Sequence, residues 1–517
     1  MFALLVVAYG WLFVYFEKLN NPNEMVRVYM ARAIVEHGTY AIGERVAVPG
    51  GGLRDTGPVY DEWGYVNDKA LVCDDPRASP PACAGKLYAA KAPGPSFLAV
   101  PVLAALRFVG APVGLRWLDV LVLRWTLCIL PTAILWVVLR RFLLAAGALP
   151  QVALGCVVAG GLGSLSFTYG QMFAGHQLAA LCLGSAYLAA FWRSRPALLG
   201  FFSGLAVCCE YPSAPAAAIL CGAWVLSRRP VPSAIAVAAL SALLPVAALL
   251  HFHWAAFGAP WATPYSHLEN PYFVRDIAPG VLGISLPNWE RIWGSLVSPF
   301  LGLFFWAPWT AIAVGLLPFL WRRGRARDRA AVLVIAYYLV FQITHALWRS
   351  GWTVGPRYIT PLAPFAAVCV GLGLTRLPNA VSSFAGAGAA SIAATGLASL
   401  VCQGFPLEVY NPLVEVVAPL LAHGYVPRNL LQLAGVPGLW SALPAFAALA
   451  VGIALLLRMA AANRRGLATA CALAACLVFA QWTATSGVTP SHPVGVGAVR
   501  FFASIWEPDP PPGARPF

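Results

Sequence analysis

Asn20-Asn-Pro-Asn-Glu24 and Tyr88-Ala-Ala-Lys-Ala-Pro-Gly94 bound a hydrophilic segment in an otherwise hydrocarbon-like chain. Between them stands Val66-Asn-Asp-Lys69, and all four lysines of the protein (Lys18, Lys69, Lys86, Lys91) lie in the segment or beside it. Histidines apart, every other basic side chain is an arginine. The segment therefore concentrates compact, flexible point charges. It is the expected seat of the chemistry, with the later apolar segments building a cavity around it.

Of 517 residues, 60% are hydrophobic and 10% charged. Soluble domains carry about 25% charged residues, so the composition indicates an all-α polytopic membrane protein. A net charge of +14 raises the question of nucleic acid, but the arginines form short clusters between apolar runs, as at cytoplasmic loop ends. Those clusters are Arg140/Arg141, Arg193/Arg195, Arg228/Arg229, Arg322–Arg329, Arg376 and Arg464/Arg465. If all face the cytosol, the segments between them come in even numbers, and the short apolar run 96–109 re-enters rather than crosses.

The expected spans are 1–16, 117–139, 147–168, 171–191, 197–210, 212–227, 232–256, 296–321, 330–349, 358–374, 383–402, 439–458 and 468–483, about thirteen in all. The first reads as an uncleaved span, since no basic leader precedes it. Pro212 and Pro215 make the pair 197–227 a candidate broken hairpin. This organisation is a single membrane domain over 1–517. A first span (1–17) leads into an extracytoplasmic loop (18–95), then the re-entrant segment and remaining spans (96–483), then an extracytoplasmic tail (484–517). Outward loops are expected at 257–295, 350–357 and 403–438. Within the first loop, Val26, Met30, Ala33, Ile34 and His37 share one helical face, which predicts an amphipathic helix lying in the interface. The Gly- and Pro-rich stretch 43–58 reads as irregular.

Ten of the twelve cysteines lie in apolar segments, where a thiol is a small hydrophobe. Cys73 and Cys83 instead flank Asp-Asp-Pro-Arg-Ala-Ser-Pro-Pro-Ala in the polar loop, a spacing that allows a disulfide in an oxidising compartment.

Lys91 stands where the polar loop re-enters the membrane, at a depth where lysine can pair with a phosphate or simply snorkel. Arg357, in Trp352-Thr-Val-Gly-Pro-Arg-Tyr-Ile-Thr-Pro-Leu-Ala-Pro364, sits at the outer mouth of a span against the positive-inside trend. That position suits an anion site or a lipid headgroup contact. Glu24 is a candidate general base or a helix-dipole acid. Asp55, Asp61 and Asp68 compete with it, and Asp68 gains weight beside Lys69. His176 and Glu210 are ionisable groups at apparent outer span ends, hence candidate substrate contacts. No zinc spacing, Walker loop, dinucleotide fingerprint or nucleophile elbow is present, so neither a metal nor a nucleotide cofactor is expected.

Together these motifs resemble the GT-C superfamily of polytopic glycosyltransferases, in its protein O-mannosyltransferase and lipid A aminoarabinose transferase branch. Asn23-Glu24 leading into Tyr29-Met-Ala-Arg-Ala33 is similar to that branch's acidic pair and following helix. Tyr88-Ala-Ala-Lys91-Ala-Pro93 looks like its Tyr-x-x-Lys-Pro-Pro motif, and Arg357-Tyr358-Ile-Thr-Pro-Leu-Ala-Pro its Arg-Tyr-x-x-Pro-x-x-Pro. The resemblance implies a GT-C-like bundle in the bacterial inner membrane, with an extracytoplasmic site. It implies transfer of a sugar from a polyprenyl-phosphate donor to an acceptor hydroxyl on a protein, lipid or glycan. A carboxylate would act as base, with Lys69, Lys91, His176, Glu210, Arg357 and Tyr358 around the substrate. One departure stands out: Asn23 occupies the place of the family's leading aspartate, which leaves the base to Glu24 or to Asp68, Asp55 or Asp61. Two other classes use the same basic residues: a transporter of lipid-linked sugars, which needs no base, and a scaffold for envelope assembly.

Overall fold

The computed structural model describes residues 1–19, 21–278, 280, 283–462, 464–484 and 493–517. It is a bundle of helices capped at one end by a small sheet. Among the described residues, five helices are long and apolar enough to cross a membrane: Arg116–Ala145, Pro232–Phe257, Pro378–Val401, Leu443–Ala460 and Arg464–Thr483. The helices Pro232–Phe257 and Arg464–Thr483 bury only 17% and 11% of their apolar windows within the protein. Apolar surface on that scale requires hydrocarbon around it rather than water. The chain is thus an integral membrane protein.

Several expected spans are shorter or broken, each at an identifiable residue. The first helix covers only Phe2–Gly10, nine residues, a rise of about 13 Å. Beyond Gly10 the Trp125 ring fills the place a Cβ would need, and Phe13 then bridges to Arg428 as an extended strand. The expected span 296–321 is divided by Pro308 and Pro318 into Leu303–Trp306, Trp309–Gly315 and Leu317–Arg323, since proline cannot complete the helical ladder. The pair 197–227 is broken, as read, at Glu210–Ser213 between Pro196–Cys209 and Ala214–Arg228. The segment expected to re-enter forms one helix, Gly94–Phe108, carrying Pro101 inside it. Of the expected tail, residues 485–492 lie outside the described residues, and Pro493–Ile505 is helical.

The basic clusters gather at one end of the bundle. Arg327 donates to the Ala146 carbonyl at 3.0 Å, and Tyr187 donates to the Arg327 carbonyl at 3.2 Å. Arg228 reaches the Phe191 carbonyl at 3.1 Å, and Arg376 lies 3.7 Å from Asp328. Along the helix Arg116–Ala145, Arg140 is about 24 Å from Arg124, and Arg124 belongs to the opposite end, under the polar loop.

That loop is a folded unit, where the sequence suggested irregular chain over 43–58. Four antiparallel strands, β1 (Gly43–Ala47), β2 (Leu53–Thr56), β3 (Lys69–Cys73) and β4 (Gly85–Ala89), are ordered β2-β1-β4-β3. The β1–β2 turn runs through Gly50, Gly51 and Gly52, all at positive φ, which a side chain at those positions would resist. The helix Pro22–His37, expected on the membrane surface, is instead buried from Asn23 to Ala33. Tyr29 packs edge-on against Tyr60 and Trp63 of the short helix Pro58–Trp63. On its other side Ser96 of Gly94–Phe108 donates to the Arg27 carbonyl. Its charges are absorbed internally: Arg32 pairs with Glu36 and Glu62, and Glu36 and Asp119 both accept from Arg107.

Cys73 and Cys83 form a disulfide, with Cα atoms 5.6 Å apart, joining the outer ends of β3 and β4. Peptide mapping without reduction is expected to recover the two cysteines linked in protein from an oxidising compartment; two free thiols there would remove the bond. Replacing both by serine should destabilise the loop by roughly 3 kcal/mol on the chain-entropy account.

Candidate active site

Where the sheet meets the bundle lies a cavity of about 360 Å³, lined by groups from the first loop, the helix Arg116–Ala145 and the segments 264–273, 347–357 and 402–404. Its rim is largely apolar, with Phe16, Leu19, Phe273, Leu347 and Trp352, and its charged groups are Glu24, Asp68, Lys91, Arg124 and Arg357.

Glu24 is in the first turn of Pro22–His37 and is almost fully buried. Arg124 grips it through two bonds, Nε to Oε1 at 2.7 Å and Nη2 to Oε2 at 2.6 Å, and the Phe173 amide donates to Oε1 at 2.7 Å. Both oxygens are thus engaged by a bidentate, charge-assisted pair. This pairing ties the loop to the bundle through Glu24. Asn23 is drawn the other way: its side-chain and backbone oxygens accept from Arg27, which also donates to Glu210 at 2.7 Å. Glu210 in turn lies 3.5 Å from His176 Nδ1, and the His176 ring sits edge-on to Tyr358 with centroids 5.3 Å apart. His176 and Glu210 thus back the wall instead of lining it.

Asp68 is the less constrained carboxylate. It is buried in the cavity wall, and its Oδ2 is 3.3 Å from Lys91 Nζ. Pairing of Lys69 with Ala89 between β3 and β4, continued by the Ala90 amide donating to the Asp68 carbonyl at 2.8 Å, sets Asp68 beside Lys91. Asp68 has φ +60°, a left-handed conformation a non-glycine residue adopts at a cost, often at functional positions. Lys69, expected on the substrate, faces the opposite way. It is buried against Asp55 and the Tyr60 hydroxyl, the latter at 2.8 Å. Burial alone would raise the Asp55 carboxyl, but hydrogen bonds from Arg45 and Lys69 outweigh it and hold it below its usual range. Asp55 and Asp61 line a separate, open hollow on the sheet with Arg45 and Tyr60 and are not in this cavity.

Arg357 opens the turn Arg357–Ile359, after Gly355 at φ +63°, where an added Cβ would meet Leu165. Its guanidinium lies over the Tyr358 ring at 5.6 Å and reaches the Trp352 carbonyl only at 3.5 Å. Its Nε is buried without a hydrogen-bond partner, and among the described residues no carboxylate lies within ion-pair distance. The cavity's three cations therefore face two carboxylates, leaving one positive charge uncompensated. Tyr265 also lines this cavity and escaped the sequence reading. It is placed by the Leu268 bridge to Ala70, the Glu269 amide donating to the Lys69 carbonyl at 3.2 Å, and Arg45 bonding Glu269 at 2.8 Å. No compositional feature of the stretch around Tyr265 marks it in the sequence.

No family model matches the chain, and no curated protein matches it. Two solved structures are similar to it, both of ArnT from Cupriavidus metallidurans. The apo form has 15% identity and a TM-score of 0.48, covering 93% of this chain and 74% of that one. The form bound to undecaprenyl phosphate has 14% identity and a TM-score of 0.46, with the same coverage.

Proposed function

We propose that the chain is a membrane glycosyltransferase that moves a sugar from a polyprenyl-phosphate donor to an acceptor hydroxyl. The observation that carries this reading is Arg357, a cation without an acid partner, beside Lys91 and Asp68 in a cavity with an apolar rim. A half-buried cation without an acid partner is satisfied when an anion arrives to meet it, and the apolar rim suits the first isoprene units behind a phosphate.

In the proposed reaction Asp68 accepts the proton of the acceptor hydroxyl as its oxygen attacks the anomeric carbon. The bond from that carbon to the phosphate oxygen breaks, and its electron pair stays on the phosphate, whose charge grows from one negative to two. Lys91 and Arg357 meet that growing charge in a site of low dielectric. Glu24 holds Arg124 and the loop in place, and Arg27 and Glu210 connect through His176 to the Tyr358 ring, next to Arg357. Tyr265, with its ring in the wall, is placed to contact the phosphate or sugar. The basic end of the bundle is assigned to the cytosol, which sets the disulfide-bonded loop and the cavity outside, in a bacterial inner membrane. The whole chain acts as one membrane domain.

The test is transfer itself. Purified protein in lipid nanodiscs, given polyprenyl-phosphate sugars labelled in the sugar, is expected to release or transfer label to an added hydroxyl acceptor. Donor binding without release or transfer, together with movement of the donor between leaflets in vesicles, would replace this reading by the transporter.

A further inference from the structure

Two carboxamides in the cavity wall have hydrogen-bonding atoms without partners. The Nε2 of Gln403 and the Oδ1 of Asn67 are both buried and unpartnered, and both residues line the cavity. Gln403 is 7% exposed. Five other buried glutamines (Gln171, Gln177, Gln342, Gln432 and Gln481) leave only their carbonyl oxygen unsatisfied, a common and mild deficit for an acceptor with two lone pairs. Among the described buried glutamines Gln403 alone leaves its donor unused, and a buried donor without a partner is the rarer and costlier state.

The backbone fixes where these groups stand. Gln403 follows the helical segment Leu397–Val401, and the Phe405 amide donates to the Thr353 carbonyl at 3.3 Å. The stretch 402–404 therefore runs beside Trp352 and Thr353, on the Arg357 side of the cavity. Asn67 directly precedes Asp68, on the Lys91 side. The two amides flank the two cations, and they offer one donor and one acceptor. That pair matches hydroxyl groups, each of which accepts and donates.

The charges nearby narrow the ligand further. Glu24 is paired with Arg124 and also accepts from the Phe173 amide, and Asp68 faces Lys91. Each carboxylate in the wall already faces a cation, so an ammonium group would meet no carboxylate without a charge partner. The one uncompensated cation, Arg357, is matched by the phosphodiester, so a sugar carboxylate finds no second free cation. We propose that Gln403 and Asn67 select the transferred sugar, and that they select a neutral, hydroxyl-bearing glycosyl group over an amino sugar or a uronic acid. The proposal rests on the glycosyl-transfer reading given above.

The experiment measures equilibrium binding to the full chain in nanodiscs, with no acceptor present. Its four probes are undecaprenyl phosphate alone and the same lipid phosphate bearing a neutral hexose, an amino pentose or a hexuronate. The parent is expected to bind the neutral hexose form at least about tenfold more tightly than the bare lipid, the scale of one or two well-placed hydrogen bonds, and to show no such gain for the charged sugars. Gln403→Leu and Asn67→Leu should each remove most of that gain while holding the bare lipid as the parent does, which also reports an intact fold. Gln403→Glu should raise affinity for the amino pentose form. If the bare lipid fails to bind, the lipid-phosphate reading itself falls. If it binds and all three sugars add nothing, or a charged sugar adds most, the selection proposed here falls and the transferase reading stands.

Discussion

Asp68→Asn is expected to lower turnover by about 10²–10⁴-fold, the range for removing a general base, while leaving the donor bound nearly as tightly as in the parent. Asparagine keeps the shape of the side chain and can still meet Lys91, but it cannot accept a proton. The donor's phosphate is expected to contact Lys91 and Arg357, neither of which the substitution removes. The informative quantity is the split: single-turnover rate falls, donor affinity does not. If Asp68→Asn turns over like the parent, Asp68 is not the base.

Glu24→Gln is expected to behave in the opposite way, since it strips Arg124 of its charge partner. Its carboxylate takes three donors, and Arg124 also anchors the Val14 carbonyl at 2.7 Å. Removing one member of such a buried pair costs about 3–5 kcal/mol, because the partner charge stays behind in a place water cannot reach. Loss of Glu24 should therefore appear first in thermal stability and in the attachment of the sheet domain. Loss of Asp68 should appear in turnover.

How far the sequence could see follows the physics of each residue. Lys91 and Arg357 were legible because each is a charge placed against the prevailing pattern, and both line one cavity although 266 positions separate them. Adjacency along the chain suggested a shared site for Lys69 and Asp68, whereas Lys69 pairs with Asp55 and Tyr60 and Asp68 faces Lys91. Glu24 was found as a cavity residue, but its occupation by Arg124 depends on a contact spanning 100 positions, which no local pattern encodes. The sheet was missed because its strands are four or five residues long and one turn is three glycines, the composition of an irregular loop. The first helix ends early, and beyond it Phe13 pairs with Arg428, a partner far away in the chain. Tyr265 and Gln403 carry no sequence signal at all, and Asn67, within Val66-Asn-Asp-Lys69, was passed over for its charged neighbours. Only the fold, by setting them around Lys91 and Arg357, makes them candidates.

Removing Arg357 should be the sharpest test of the phosphate site. Among the described residues this guanidinium has no carboxylate partner and meets the Trp352 carbonyl at 3.5 Å and the Tyr358 side chain, so the charge-assisted bonds it can still form are kept for a ligand. Arg357→Ala is expected to weaken binding of undecaprenyl phosphate by about 1.5–3 kcal/mol, roughly 10- to 150-fold, the value of a hydrogen bond to a charged group. Arg357→Lys should restore part of this, since the charge returns but the planar fork that can grip two phosphate oxygens does not. Lys91→Ala should cost less in binding than in turnover. It removes one phosphate contact and also leaves Asp68 without its cation, so the base loses the neighbour that positions it. Salt dependence gives an independent reading: a contact to lipid headgroups at the exposed mouth would fade as ionic strength rises, whereas a pair formed inside the cavity is screened far less. If Arg357→Ala keeps the parent's affinity for undecaprenyl phosphate with the fold intact, the uncompensated charge serves the membrane surface, and the donor phosphate must be sought elsewhere.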